Sequence, residues 1–72
     1  MMKVLLKQVR LKQGLTQEEL ARRSGMTLGN VQRIEYGRAK SIPLDTLEVF
    51  CRELKCDAGD LLQYVPDEAA AS

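Results

Sequence analysis

The 72-residue chain contains no histidine and only two cysteines, Cys51 and Cys56. Neither a zinc site nor a cysteine–histidine catalytic pair can be built from this inventory. The sequence also has no glycine-rich phosphate loop and no nucleophile elbow, which are common signatures of enzymes. We therefore predict no cofactor and no enzymatic activity, and we expect the two thiols to stay reduced and to pack as small hydrophobic groups.

Long apolar runs are also absent. No segment approaches the roughly 18 apolar residues that a membrane-spanning helix needs, and Lys3 and Lys7 interrupt the N-terminal segment that would form the core of a signal peptide. These absences predict a cytoplasmic protein without membrane contact. Because no segment alternates strictly between apolar and polar residues, strands are not expected and the predicted fold class is all-α.

The net positive charge is small, and the charges are unevenly distributed. The net charge is only +1, which by itself does not favour a nucleic-acid partner. Residues 1–40 contain nine basic and three acidic residues, a net charge of +6, whereas residues 41–72 contain two basic and seven acidic residues, a net charge of −5. One domain can therefore present a positive face to phosphate groups. Solvated helix faces would give the same asymmetry, so charge alone leaves both interpretations open.

What the sequence does contain is a series of caps and apolar periodicities that predicts five helices in one domain of residues 1–66. The first helix is expected from about Lys3 to Gln13, and a fourth begins near Pro43. A short fifth helix is expected between Asp57 and Pro66. Residues 67–72 have no apolar anchor and are predicted to form a frayed tail.

The two helices in the middle of the sequence have the clearest boundaries. Thr16 is placed to cap the second helix, with Glu19 completing a capping box, and Gly25 permits a sharp reversal of the chain. Thr27 is placed to cap the third helix, at about residues 28–36. Two short helices joined by a turn of about three residues predict a helix-turn-helix.

The third helix carries long polar side chains that suit contact with DNA. Asn30, Gln32 and Arg33 are long and polar enough to reach base edges in the major groove. Arg33 suits guanine best, because a guanidinium donates two parallel hydrogen bonds to N7 and O6. It would alternatively hold a phosphate, since many protein–DNA contacts are made to the backbone.

A larger set of residues extends this pattern over the chain: Arg10, Gly14 through Ala21, Gly25, Ile34-Glu35 with Gly37, and Leu47 through Leu54. Together they resemble the lambda-repressor-like (Cro/XRE-type) helix-turn-helix family over roughly residues 3–65. The resemblance implies a compact five-helix lambda-repressor-like domain whose third helix enters the major groove of double-stranded DNA. It also implies a small transcriptional regulator that binds a specific sequence.

The resemblance and the side-chain chemistry together give a set of candidate site residues. Base contacts are expected from Leu28, Gly29, Gln32 and Arg33, and phosphate contacts from Gln17, Asn30, Tyr36, Arg38 and Lys40. The resemblance further assigns Arg10 and Glu35 to a partly buried structural ion pair. Three alternatives stay open at this point: Gln17 would otherwise be a solvated first-turn residue, Asn30 would otherwise bind adenine, and Gln32 would otherwise contact a phosphate.

The identity of the protein partners is less defined by the sequence. Two copies on a pseudo-palindromic operator are expected from the helix-turn-helix, as a homodimer at least on DNA. The surplus apolar residues Val4, Leu5 and Leu11 either form a dimer surface or, for the first two, cover the C-terminal helix. The alternative function is an antitoxin or other protein-interaction module of the same fold, with a toxin or another protein as its partner.

Overall fold

The helices and strands are described here for residues 1–66, in a computed structural model of the chain. In chain order they are β1 (Met2–Val4), α1 (Leu6–Lys12), α2 (Gln17–Ser24), α3 (Leu28–Glu35), α4 (Leu44–Leu54), α5 (Ala58–Leu61) and β2 (Leu62–Tyr64). The fold is thus mostly helical, with five helices in this range. The frayed tail predicted for residues 67–72 lies outside the described residues. No helix among residues 1–66 combines the length and apolar composition of a membrane span.

The boundaries of α2 and α3 follow from their caps. The Thr16 hydroxyl accepts a hydrogen bond from the Glu19 amide at 3.1 Å, and the Glu19 carboxylate accepts one from the Thr16 amide at 3.3 Å. The Glu19 carboxylate also accepts a hydrogen bond from the Thr16 hydroxyl, and the two bonds that it accepts from Thr16 lower the pKa of Glu19 below its ordinary value of 4.5. The Thr27 hydroxyl accepts from the Asn30 amide at 3.2 Å. Both helix starts are therefore fixed locally, because backbone amides that have no partner within the helix bond to these side chains.

The hydrophobic core joins all five helices. Phe50 of α4, the only phenylalanine in the chain, is 1 % exposed and lies among leucines from α1, α2, α4 and α5. The buried apolar residues are Leu6, Leu20, Ala21, Val31, Ile34, Phe50, Leu54 and Leu61. Because α2 packs against both α3 and α4, this core holds the helix-turn-helix in a fixed position.

The predicted absence of strands needs correction at both ends of the described chain. β1 and β2 form an antiparallel pair in which Met2 faces Tyr64 and Val4 faces Leu62. As a result α1 begins at Leu6, three residues later than predicted, and α5 ends at Leu61, well before Pro66. Three-residue strands are too short to show a period of two, and pairing between residues about 60 positions apart leaves no local pattern.

The same sheet involves two of the surplus apolar residues near the N-terminus. Val4 pairs with Leu62 in the sheet and packs against the core, and the Leu5 amide donates to the Leu61 carbonyl at 2.7 Å. Val4 thus packs against the core at the C-terminal end of the domain, and the Leu5 backbone is joined to the end of α5. Leu11 is 57 % exposed.

Candidate nucleic-acid interface

The turn between α2 and α3 holds the two helices at a fixed angle. Gly25 ends α2 with a left-handed backbone at φ +68°, a conformation that glycine adopts without steric cost. The Met26 amide then donates to the Ala21 carbonyl at 2.9 Å, and the half-buried Met26 side chain packs against the core. Because only three residues separate the helices, α3 is positioned by packing and not by a long loop.

One face of α3 is buried and the other is open. Val31 and Ile34 are 0 % and 3 % exposed, so they attach the helix to the core. On the remaining surface Gly29 and Arg33 are exposed, whereas Leu28, Asn30 and Gln32 are half-buried. All four predicted base-contact residues therefore lie on accessible surface of one helix.

A buried ion pair joins α3 to α1. The Arg10 Nε donates to Glu35 Oε2 at 2.6 Å, and the Arg10 Nη2 donates to Glu35 Oε1 at 3.2 Å. The Arg10 Nη1 donates to the Leu15 carbonyl at 2.7 Å, and the two charged side chains are only 7 % and 0 % exposed. This bidentate pair fixes the C-terminal end of α3 and is the pair that the resemblance assigned to structure.

Two glutamines extend this ion pair to the surface. The Gln17 Nε2, at the start of α2, donates to Glu35 Oε1 at 3.0 Å. The Gln32 Nε2 in turn donates to Gln17 Oε1 at 3.2 Å. The sequence predicts both glutamines at the interface but does not indicate this connection. No local pattern could have revealed it, because the partners are 15 and 18 residues apart.

Gln17 and Gln32 also share a surface depression with a predicted apolar contact. A shallow groove between the starts of α2 and α3 is lined by Thr16, Gln17, Glu18, Leu28 and Gln32. It brings together an apolar side chain and two amide side chains. Such a mixture suits the edges of base pairs, which offer both hydrogen-bonding groups and the thymine methyl group.

Arg33 and Asn30 form a second small cluster on α3. The Arg33 Nη2 donates to Asn30 Oδ1 at 3.3 Å across one helical turn. The Asn30 Nδ2 lies 3.6 Å from the Met26 sulfur, which is a weak acceptor. Asn30 therefore lies beside the Arg33 guanidinium and leaves other guanidinium donors for a ligand.

The segment after α3 adds further positive charge. The Arg38 guanidinium carbon lies 5.9 Å from the centroid of the Tyr36 ring, within the range of a cation–π contact. The Arg38 amide donates to the Arg33 carbonyl at 3.0 Å, so this part of the loop follows directly from the helix. Tyr36, Arg38 and Lys40 are all exposed, as contacts to phosphate would require.

The cysteines lie in and after α4. Both Cys51 and Cys56 are free and half-buried, and both pack against the core. Desolvation, then the neighbouring Cys51 and the carboxylates of Asp60 and Asp57, raise the pKa of the Cys56 thiol. Among residues 1–66 no three cysteine, aspartate or glutamate side chains lie together as a metal site would require.

Comparison with known proteins agrees with this geometry. The model of the Cro/C1-type HTH DNA-binding domain matches residues 5–67. The chain belongs to this DNA-binding family. It is also 42% identical over 57 residues to a protein of Bacillus subtilis (strain 168) named the uncharacterized HTH-type transcriptional regulator YozG, with 79% of this chain and 68% of that protein covered. This Cro/C1-type chain thus matches its family over the helix-turn-helix and the core that supports it.

Proposed function

We propose that this Cro/C1-type domain is a transcriptional regulator that recognises a specific sequence in double-stranded DNA. The observation that carries the proposal is the accessible face of α3, on which Arg33 is exposed and Gln32 lines a shallow groove. In this arrangement α3 lies in the major groove and the start of α2 contacts the DNA backbone. The protein has no catalytic role, and its partner is the duplex.

The residues of α3 have different roles in this proposal. Arg33 reads guanine through two parallel hydrogen bonds, and Gln32 reads adenine. Leu28 contacts a thymine methyl group. A Cβ atom at Gly29 would meet no protein atom within 4 Å, so packing within the protein does not require glycine there. Glycine at this position instead lets the helix backbone approach the DNA closely.

Phosphate contacts surround this reading face. Gln17, Asn30, Tyr36, Arg38 and Lys40 fix the register of the domain on the duplex without reading its sequence. Two copies bind a pseudo-palindromic operator, with about one helical turn between half-sites. Residues 1–66 act as the DNA-binding unit of each copy.

Selection of binding sites from a random duplex pool tests the proposal. We expect the wild-type protein to enrich one sequence, Arg33→Ala to relax the preference at one guanine, and Arg38→Ala to weaken binding to all sequences alike. Arg52→Ala, which removes an exposed arginine of α4, is the matched control and should leave selection unchanged. Identical preferences in the wild type and Arg33→Ala would remove Arg33 from the reading role. Absence of binding at low salt would overturn the function itself.

A further inference from the structure

We infer that Gln17 is a positioning residue. Its hydrogen bond to the buried Glu35 carboxylate fixes the orientation of its side-chain amide, and this amide in turn orients the amide of Gln32 for contact with adenine. This inference rests on the proposed function, since it concerns how α3 reads DNA. Its basis is the continuous series of hydrogen bonds from Arg10 through Glu35 and Gln17 to Gln32. The series begins in the interior and ends on the reading face.

The first step is set by the ion pair. An arginine side chain has only donors, so both Glu35 oxygens act as acceptors toward Arg10, at 2.6 Å and 3.2 Å. The Glu35 side chain is fully buried and has no access to bulk water. The Gln17 group that faces Glu35 Oε1 must therefore be the amide NH2, which donates at 3.0 Å.

The second step follows from the first. Once the NH2 of Gln17 points to Glu35, its carbonyl oxygen points to Gln32, and a carbonyl oxygen only accepts. Gln32 must then turn its own NH2 toward Gln17, which it does at 3.2 Å. An isolated glutamine can exchange the positions of its oxygen and nitrogen, but Gln32 cannot do so without losing this bond.

The third step concerns the base. With one amide hydrogen committed to Gln17, Gln32 retains its second amide hydrogen and its carbonyl oxygen. A neighbouring donor and acceptor match N7 and the N6 amino group of adenine, the usual bidentate partner of glutamine in the major groove. Because the orientation is fixed before DNA binds, less side-chain freedom is lost on binding. The fixed placement of the Gln32 donor and acceptor also disfavours guanine, because N7 and O6 of guanine are both acceptors.

A double-mutant cycle on base discrimination tests this inference. The variants are Gln17→Met, Gln32→Met and the double variant, each close to glutamine in length. Binding is measured by competition among duplexes that differ at the single base pair whose preference Gln32→Met reduces most. Gln63→Met on β2, an exposed glutamine in the sheet, is the matched control, and thermal unfolding of each variant measures any structural effect.

We expect Gln17→Met to reduce the preference for adenine at that base pair by about fivefold or more, the lower end of what a bidentate contact contributes. Preferences at other positions should stay the same. In the Gln32→Met background the same change at position 17 should have no further effect on that preference, because Gln17 acts through Gln32. A shift in unfolding temperature alone would not produce a change confined to one base pair.

Three other outcomes would overturn the inference. Uniform weakening by Gln17→Met with unchanged preferences would make Gln17 a phosphate contact only. Independent losses that add in the double variant would show that Gln17 does not act through Gln32. If the wild type binds with no base preference at all, the proposed function fails together with the inference, whereas the first two outcomes leave that function intact.

Discussion

Arg10 extends into the interior of the domain, where the fully buried Glu35 accepts two hydrogen bonds from it. Removing two charges from water is costly, and the pair repays this cost only because both partners are present and well aligned. The pair is therefore better regarded as a device that fixes α1 against the end of α3 than as a large source of stability. Removal of one of the two partners leaves the other charge buried and unpaired.

We predict that Arg10→Met lowers the free energy of unfolding by about 3–5 kcal/mol, because Glu35 is left buried without its partner. The measurement is urea-induced unfolding followed by circular dichroism. Arg52→Met is the control: Arg52 pairs with Glu53 at 3.7 Å, and its side chain is 66% exposed. An exposed pair of this kind contributes about 0–1 kcal/mol. Equal effects of the two substitutions would refute the assignment of Arg10 to a buried ion pair that fixes α1 against the end of α3.

Residue-scale contacts differ in how far the sequence predicts them. The Arg10–Glu35 pair was expected only through the family resemblance, because nothing in the sequence near Arg10 points to a residue in α3. The link from Gln17 to Gln32 was not expected at all. Such contacts depend on how helices pack in three dimensions, whereas a capping contact such as that between Thr16 and Glu19 joins residues only three positions apart in the sequence.

At the scale of the helices, the C-terminal ends show a contrast. The residue that follows α2 is Gly25, with φ +68°, whereas the residue that follows α4 is Lys55, with φ +52°. A left-handed backbone brings the Cβ of a non-glycine residue close to the following carbonyl oxygen. Lys55 therefore adopts a strained conformation that Gly25 adopts freely.

We predict that Lys55→Gly stabilises the domain by about 0.5–1 kcal/mol, because relief of this strain outweighs the greater freedom of glycine in the unfolded chain. Glu48→Gly, an exposed site inside α4, is the control and should destabilise by about 1 kcal/mol. Thermal unfolding of both variants makes the comparison. Destabilisation by Lys55→Gly as large as that by Glu48→Gly would contradict the strain assigned to Lys55.

A helix or strand is predictable from the sequence where the residues that set its ends lie close to it in the chain. Thr16, Thr27 and Gly25 set the ends of α2 and α3, and these helices appear where the sequence predicts them. The start of α1 was placed too early because no capping residue precedes Lys3 and the apolar residues there suit either a helix or a strand. Pairing of Met2–Val4 with residues near the other end of the chain decided in favour of the strand.

For the whole molecule, the basic half and the acidic half of the sequence make distinct contributions to DNA binding. All five proposed phosphate contacts lie between residues 17 and 40, within the half that has a net charge of +6. Release of counterions from DNA makes affinity depend on salt through the cations that contact phosphate, and not through the total charge of the protein. Two double variants with the same change in net charge can separate these effects.

We predict that Arg38→Ala with Lys40→Ala makes the plot of log affinity against log salt less steep by about 2 for each bound copy, since each phosphate contact contributes about 0.9. Arg52→Ala with Lys55→Gly also removes two positive charges, but from the acidic half, and should leave the slope unchanged. A change of about 2 then indicates one copy on the duplex and a change of about 4 indicates two, as a pseudo-palindromic operator requires. Equal changes in both double variants would mean that net charge, and not contact by the segment after α3, governs binding.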